Sequence, residues 1–363
     1  MSALTHAYQL PQSWSSRAID LFLSKGSGLA LKGLSSAYRR SRWARDRLSK
    51  IQVMRDIPYG PLGHWHTLDL YAPASYEAPP LELLNALSGG GVEGANTISE
   101  RKRFPFVLYL HGGGFRICSK ETHWPFGLRL AEEGFLTFVI NYRLATHFPC
   151  PAALEDSVSS LHWLLDHSDT LGLDLTQGMI AGESAGGNLT LSTTMCLMRA
   201  SQEKWAHSIF ERGWTPRMIA PACGFLDVCG SGRRADEMGS IPRSRLVSLA
   251  RSYLTLSRSP HPAEPLAELE GDQSLARDLP PTLITVGDRD PIIRDSIRLR
   301  DALQKRSLPH QLVVYSGGIH SFHAAIHRSM AEQCWRDHFT FWRRYGGEDK
   351  SSASNQKTRG SSR

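Results

Sequence analysis

The sequence lacks the long apolar run that a membrane-spanning helix needs. None of its apolar stretches approaches the roughly 18 consecutive residues that cross a bilayer. The first residues contain no short apolar segment followed by a small-residue cleavage site, so we expect no secretory signal. The six cysteines show no Cys-x-x-Cys spacing, which argues against a disulfide framework and favours reduced, mostly buried thiols. These absences together predict a cytoplasmic protein.

The positive charge is concentrated in one segment. The net charge of the chain is +7, and residues 1–50 contain nine basic and two acidic side chains. This segment therefore accounts for the whole excess, and the remainder of the chain is neutral. Because the body of the protein is neutral, we do not expect a nucleic-acid partner.

Short apolar runs alternate with helical patterns along most of the chain. We predict strands at residues 51–56, 66–71, 106–110, 136–140, 179–181, 218–220, 282–286 and 311–315. Between them lie amphipathic segments such as residues 153–165, with Leu154, Val158, Leu161 and Leu165 on one face. Strands alternating with helices predict an α/β fold: a mostly parallel sheet of about eight strands, flanked by helices.

A nucleophile motif follows one of these strands. Gly182-Glu-Ser-Ala-Gly186 lies between a short apolar run and a helical pattern, which is the context of a strained strand-to-helix turn carrying a reactive serine. The flanking glycines avoid backbone clashes in such a turn. This pattern alone is weak, because about one chain in five of this length would contain it by chance. It identifies Ser184 as the candidate nucleophile.

A glycine-rich segment ends another strand. His111-Gly-Gly-Gly-Phe115 follows the run at 106–110, and three glycines let backbone N–H groups approach a substrate carbonyl closely. A flexible loop is the alternative interpretation. However, sites in α/β proteins form at the carboxyl ends of strands, which favours a functional role.

Two further segments supply an acid and a base. Gly287-Asp-Arg-Asp-Pro291 follows the run at 282–286, and Gly317-Gly-Ile-His-Ser-Phe322 follows the run at 311–315. A serine nucleophile needs a base within hydrogen-bond reach, and that base needs an orienting carboxylate. The chain order Ser184, Asp290, His320 is the order found in α/β-hydrolases.

The chain resembles the hormone-sensitive-lipase-like family of α/β-hydrolases over roughly residues 51–345. The match rests on the HGGG and GESAGG motifs and on three linking segments, which are YRLA at 142–145, PAALED at 151–156 and LPPTLI at 279–284. The resemblance implies hydrolysis of a small-molecule carboxylic ester through an acyl-enzyme, without metal or organic cofactor. It also implies an oxyanion hole formed by the N–H groups of Gly113, Gly114 and Ala185, and it selects Asp290 over Asp288 as the orienting carboxylate.

The family pattern is not followed everywhere. Asn141 stands where the family usually has aspartate, Ala145-Thr-His-Phe148 replaces Ala-Pro-Glu-His, and Ser321 replaces the glycine that usually follows the histidine. The same machinery also serves amides, thioesters and lactones, and a non-catalytic receptor is a further alternative.

Several side chains near the motifs have competing interpretations. We favour His320 over His323 as the base, structural roles for His111 and Cys118, and a supporting role for Glu183 behind the serine.

The predicted organisation has three parts. Residues 1–50 form a helical cap arm, with Gly26 and Gly28 dividing it into two helices. Residues 51–345 form the hydrolase domain, with a surface loop at 89–103 and a cap insertion near 226–260 that contains a helix at 243–256. Residues 346–363 form a disordered tail. Contact of the basic arm with an anionic membrane, an organelle-targeting role of the arm, and a homodimer stay open.

Overall fold

One sheet of eight strands forms the centre of the molecule. The structure, a computed structural model, describes residues 27–87, 102–229, 253–254, 264–271 and 275–346. The strands are β1 (Ile51–Pro58), β2 (Thr67–Pro73), β3 (Phe104–Leu110), β4 (Leu136–Ile140), β5 (Leu173–Glu183), β6 (Met218–Ala222), β7 (Thr282–Gly287) and β8 (His310–Tyr315). Their spatial order is β1-β2-β4-β3-β5-β6-β7-β8. β2 is antiparallel to both neighbours, and β3 to β8 are parallel.

Helices cover both faces of this sheet. They are α1 (Ser27–Arg39), α2 (Arg42–Leu48), α3 (Leu81–Ala86), α4 (Trp124–Glu132), α5 (Ala152–Asp166), α6 (Ser168–Leu171), α7 (Ala185–Met198), α8 (Lys204–Glu211), α9 (Pro265–Glu270), α10 (Ile293–Lys305) and α11 (Ser329–Gly346). None of these helices, which cover the described part of the chain only, is long and apolar enough to cross a bilayer.

The central strands are apolar because both of their faces are buried. In β3, Phe106 and Leu108 belong to one hydrophobic cluster with residues of α5 and α7, whereas Val107 and Tyr109 belong to a second cluster with residues of α4 and α11. Side chains alternate along a strand, so a single strand serves two cores. The predicted α/β fold with about eight strands is confirmed.

The two amino-terminal helices pack on the second cluster. The ring of Tyr38 stacks on Trp43 with 5.6 Å between centroids and lies 5.1 Å from Trp124, while Ala44 is fully buried. The guanidinium of Arg47 forms two hydrogen bonds with the Glu132 carboxylate. The described part of the basic arm is therefore attached to the body of the protein by both apolar and charged contacts.

The described part of the arm contains two helices. The predicted division at Gly26 and Gly28 falls next to the start of α1 at Ser27, and residues 1–26 lie outside the described residues. Within the described part, α1 and α2 are separated at residues 40–41, where the Ser41 side chain accepts a hydrogen bond from the Ala44 N–H and begins α2. Residues 89–101 of the predicted loop at 89–103, most of the predicted cap insertion near 226–260 with its helix at 243–256, and residues 347–363 of the predicted tail at 346–363 lie outside the described residues.

Candidate active site

Ser184 occupies a sharp turn between β5 and α7. Its backbone angles are φ 57° and ψ −117°, which ordinary residues rarely adopt. A Cβ atom at Gly182 would lie 2.5 Å from the Leu110 carbonyl oxygen, and one at Gly186 would overlap the same oxygen. Both glycines are therefore required by contact with the end of β3, and this packing holds the serine at the carboxyl edge of the sheet.

The glycine segment after β3 lies beside this turn. Gly113 and Gly114 have φ values of 116° and 60°, a region that favours glycine. The N–H groups of Gly113, Gly114 and Ala185 donate to no other described residue. These are the three groups that the family resemblance assigns to an oxyanion hole. These N–H groups can therefore donate hydrogen bonds to a substrate oxygen.

His320 and Asp290 form a hydrogen-bonded pair. Nδ1 of His320 lies 2.8 Å from Oδ2 of Asp290, and the Asp290 carboxylate is fully buried. Its other oxygen accepts a hydrogen bond from the Ile292 N–H at 2.9 Å. Asp288 is exposed and accepts instead from the Gly317 N–H at 2.7 Å. Of the two aspartates, Asp290 is thus the one that contacts the histidine.

The charge of this pair follows from its surroundings. Burial of the imidazole is the largest single effect and lowers the pKa of His320, but Asp290 and Cys223 together raise that pKa well above its ordinary value. When Nδ1 donates to Asp290, the neutral ring keeps its lone pair on Nε2. That nitrogen can accept a proton.

Cys223 connects the serine turn to the histidine loop. The Ser184 N–H donates to the Ala222 carbonyl oxygen at 3.0 Å, and the next residue, Cys223, carries its sulfur 3.7 Å from the Ser321 hydroxyl. The sulfur also lies within 4.8 Å of a ring nitrogen of His320. The turn after β6 therefore touches both the nucleophile segment and the base. No sequence motif identifies this cysteine.

Glu183, which precedes the serine, connects the serine motif to the glycine-rich segment through hydrogen bonds. Its Oε1 accepts hydrogen bonds from the Gly112 N–H and from His123 Nε2, both at 2.6 Å, and its Oε2 accepts from the Tyr109 hydroxyl at 2.7 Å. The carboxylate is buried, and burial would raise its pKa, but the charge and hydrogen bond of His123 lower the pKa of Glu183. The predicted supporting role now has named partners. His123 and Tyr109 carried no sequence signal.

Other candidate side chains have structural surroundings. His111 stacks on Tyr142 at 4.1 Å, and burial lowers its pKa to about 3. Burial raises the pKa of Cys118 to about 12, so this residue is a thiol and not a thiolate nucleophile. His323 is buried against Phe126, and burial lowers its pKa to about 3.

The departures from the family pattern are accommodated. Oδ1 of Asn141 accepts from the Lys120 N–H at 2.8 Å, and its Nδ2 donates to the His64 carbonyl oxygen at 3.1 Å, a bond that an aspartate could not make. Ser321 has φ 54° and ψ 29°, the left-handed conformation that explains a glycine in relatives. In the altered segment after Tyr142, the Ala145 N–H donates to the Phe115 carbonyl oxygen at 2.7 Å. The local geometry of the site is therefore fixed by other contacts.

Comparison with known proteins decides the family. A family model described as alpha/beta hydrolase fold matches residues 107–324, which include all the segments above. The chain belongs to the α/β-hydrolase fold family. The predicted resemblance to hormone-sensitive-lipase-like esterases is confirmed as well.

Named relatives of this α/β-hydrolase are esterases. Esterase LipI of Mycobacterium tuberculosis is 27% identical over 245 residues, covering 64% of this chain and 73% of the relative. An acetyl esterase of Salmonella typhi is 27% identical over 238 residues, covering 65% and 71%. A crystal structure of an esterase from the bacterial hormone-sensitive lipase family has a TM-score of 0.66 at 21% identity, covering 92% of this chain and 98% of that one.

A cavity of about 380 Å³ lies elsewhere in the molecule. Leu154 of α5, Met195 of α7, Trp205 of α8 and Glu268 of α9 contribute to its wall. It contains none of the predicted site residues. It is therefore separate from the edge of the sheet at which the serine, histidine and aspartate segments end.

Proposed function

We propose that this carboxylic-ester hydrolase works through an acyl-enzyme on Ser184. The observation that carries the proposal is the hydrogen bond between His320 and the buried Asp290, formed at the same sheet edge as the strained serine turn. A non-catalytic receptor would not need a base paired in this way. The segment after β3 supplies oxyanion donors, the segment after β5 supplies the serine, and the segments after β7 and β8 supply the aspartate and the histidine.

The proposed reaction has two proton transfers. Nε2 of His320 takes the proton of the Ser184 hydroxyl as its oxygen bonds to the acyl carbon, and the carbonyl oxygen becomes an oxyanion held by the N–H groups of Gly113, Gly114 and Ala185. His320 then gives the proton to the leaving alcohol as the ester bond breaks. Water repeats the sequence on the acyl-enzyme and releases the acid. Asp290 keeps the ring in one tautomer throughout.

The acyl group is proposed to be short. Phe115 follows the glycine loop, and its ring stacks on Tyr253 with only 3.7 Å between centroids. Phe225, whose N–H donates to the Ser184 carbonyl oxygen at 2.9 Å, has its ring centroid 6.3 Å from that of Phe115. These three buried rings form a cluster that is linked to the serine turn through the backbone of Phe225. The acetyl esterase among the relatives also supports a preference for acyl chains of up to about eight carbons.

The test is a Ser184→Ala variant. We expect kcat on p-nitrophenyl acetate to fall by about 10⁶-fold, because nucleophile and base act as a unit. Covalent labelling by a fluorophosphonate should disappear in the same variant. It should persist in Ser157→Ala, which removes a buried helix serine instead. Activity within tenfold of wild type would remove the proposal.

A substrate panel separates the bond types. Among matched acetyl esters, thioesters and amides, together with a lactone, the esters should be hydrolysed fastest. Faster hydrolysis of another bond type would leave the proposed catalytic residues unchanged but would change the substrate class. Esters of increasing acyl length, assayed in parallel, test the predicted limit on chain length.

A further inference from the structure

Three potential metal ligands meet beside the proposed base. Within the part of the chain that the structure describes, Cys223, Asp290 and His320 form a group whose ligand atoms all lie within 4.8 Å of one another. In a tetrahedral zinc site, bonds of about 2.0–2.3 Å place neighbouring ligand atoms roughly 3.3–3.8 Å apart. The pair of His320 Nδ1 and Asp290 Oδ2, now 2.8 Å apart, would therefore open by about 0.5 Å, and the distances to the sulfur, at most 4.8 Å, would contract by about 1 Å or less. Side-chain rotation can supply both changes.

Backbone hydrogen bonds connect the three segments that carry the ligands. Cys223 follows β6, and its N–H donates to the Thr285 carbonyl oxygen of β7 at 2.8 Å. In the segment that carries Asp290, the Arg289 N–H donates to the Gly318 carbonyl oxygen of the histidine loop at 2.9 Å. The ligands thus come from three adjacent strand ends that are bonded to one another. The main chain need not rearrange to bring them together.

The donor set selects one class of cation. A thiolate, an imidazole and a carboxylate are ligands of zinc and of similar thiophilic ions, whereas magnesium and calcium prefer oxygen alone. The two anionic ligands balance the charge of a divalent ion. The His320 side chain is 12% exposed, so an ion can reach the group from solvent. Three protein ligands leave the fourth position for water.

We propose that Cys223, His320 and Asp290 form an inhibitory site for a thiophilic divalent cation such as zinc. Binding forms metal–sulfur, metal–nitrogen and metal–oxygen bonds in place of three water ligands of the ion and releases the thiol proton of Cys223 to solvent. The proton that His320 shares with Asp290 moves to the other ring nitrogen. Binding also withdraws the His320–Asp290 pair from proton transfer. The inhibitory effect rests on the proposed role of His320 as base, whereas metal binding itself does not.

Metal binding is tested first, with Co²⁺ as a spectroscopic probe on protein freed of metal by a chelator. We expect one equivalent of Co²⁺ to produce a thiolate-to-metal charge-transfer absorption, which Zn²⁺ abolishes by displacement. The Ser184→Ala variant should retain this absorption, because the serine is not a ligand. Absence of the band from the wild-type protein would overturn the proposal without touching the acyl-enzyme.

Inhibition is tested with Zn²⁺ on p-nitrophenyl acetate hydrolysis. Cys223→Ser should lose the Co²⁺ band and raise the Zn²⁺ inhibition constant by at least about tenfold. The matched control is Cys334→Ser, which removes a buried thiol that also lies near a histidine, 3.8 Å from His338, but belongs to no three-ligand group among the described residues. It should keep both properties.

Two results would contradict the site. One is a Cys223→Ser enzyme with wild-type sensitivity to Zn²⁺, and the other is loss of the band in Cys334→Ser. If Cys223→Ser does not fold, His320→Ala serves instead, since it retains the thiol but should weaken Co²⁺ binding by at least about tenfold. Unchanged Co²⁺ affinity in that variant would equally exclude the site.

Discussion

The Glu183→Gln variant tests whether the carboxylate of the residue before Ser184 positions the glycine-rich segment at residues 111–115. In the native protein this carboxylate accepts three hydrogen bonds, from Gly112, His123 and Tyr109, at 2.6–2.7 Å. Glutamine keeps the size but has one acceptor oxygen and no charge. Its amide nitrogen faces Tyr109, whose hydroxyl can rotate to accept. The contact with the Gly112 N–H survives as a neutral bond.

The magnitude follows from the lost charge. A hydrogen bond to a charged group contributes about 1.5–3 kcal/mol, against about 0.5–1.5 kcal/mol for a neutral one. The hydrogen bond from the Gly112 N–H to the side chain at position 183 therefore weakens by about 1.4 kcal/mol. If the loss appears in the transition state, it corresponds to a tenfold lower rate. We expect kcat to fall about tenfold with KM within about twofold. Gly112 precedes the two glycines whose N–H groups would bind the oxyanion.

The assay separates positioning from general damage. A trifluoromethyl ketone, whose adduct with the serine carries an oxyanion, should bind about tenfold more weakly to Glu183→Gln, in parallel with kcat. Tyr109→Phe is the control, because it removes the bond to the other carboxylate oxygen and leaves the Gly112 contact charged. It should lose stability but keep kcat within about twofold. A Glu183→Gln enzyme with wild-type kcat and wild-type ketone affinity would refute the reasoning.

Three further predictions concern the acid–base pair and the arm. Asp290→Asn should lower kcat on p-nitrophenyl acetate by about 10⁴-fold, whereas Asp288→Asn should retain most activity; the reverse ranking would show that the wrong aspartate was chosen. Because His320 must be neutral to accept a proton and Asp290 raises its pKa, wild-type kcat/KM should fall with decreasing pH around a midpoint above 6.5, and this midpoint should move lower in Asp290→Asn. Deletion of residues 1–50, which we propose to act as a cap, should lower Tm and lower kcat/KM on small esters. Unchanged kinetics with lost binding to anionic vesicles would indicate a membrane arm instead.

The fold was predictable because its strands carry their own signal. Buried parallel strands such as β4 are continuous apolar runs, whereas β1 and β2 were located from strand signals that include polar residues. Their lengths were less predictable. β5 begins at Leu173, six residues before the predicted start at 179. The sequence did not predict residues 173–178 as strand because they include polar side chains and pair irregularly with β3. Pairing with a neighbour, which the sequence does not display, extends the strand there.

The candidate site was predictable where chemistry requires a motif. Ser184 and His320 lie next to glycines that close packing or backbone conformation demands, so their surroundings leave a pattern in the sequence. His123 and Cys223 lie in segments without such a pattern. Their contacts with Glu183 and with the base depend on how the loops after β3 and β6 fold over the strand ends. Only tertiary structure brings them to the site.

The pairing of β3 with β5 explains why the two central motifs act together. Leu110 and Gly182 are partners in the parallel register, so the residues that follow each of them, His111-Gly112 and Glu183-Ser184, leave the sheet side by side. Successive side chains of a strand point to opposite faces. At the end of β5 this places Glu183 under the glycine loop and leaves Ser184 for the turn on the other side. The carboxylate accepts a hydrogen bond from the Gly112 N–H, and the N–H groups of the next two residues donate to no other described residue. A change in this one strand pairing would therefore displace the nucleophile and the oxyanion donors together, and not one alone.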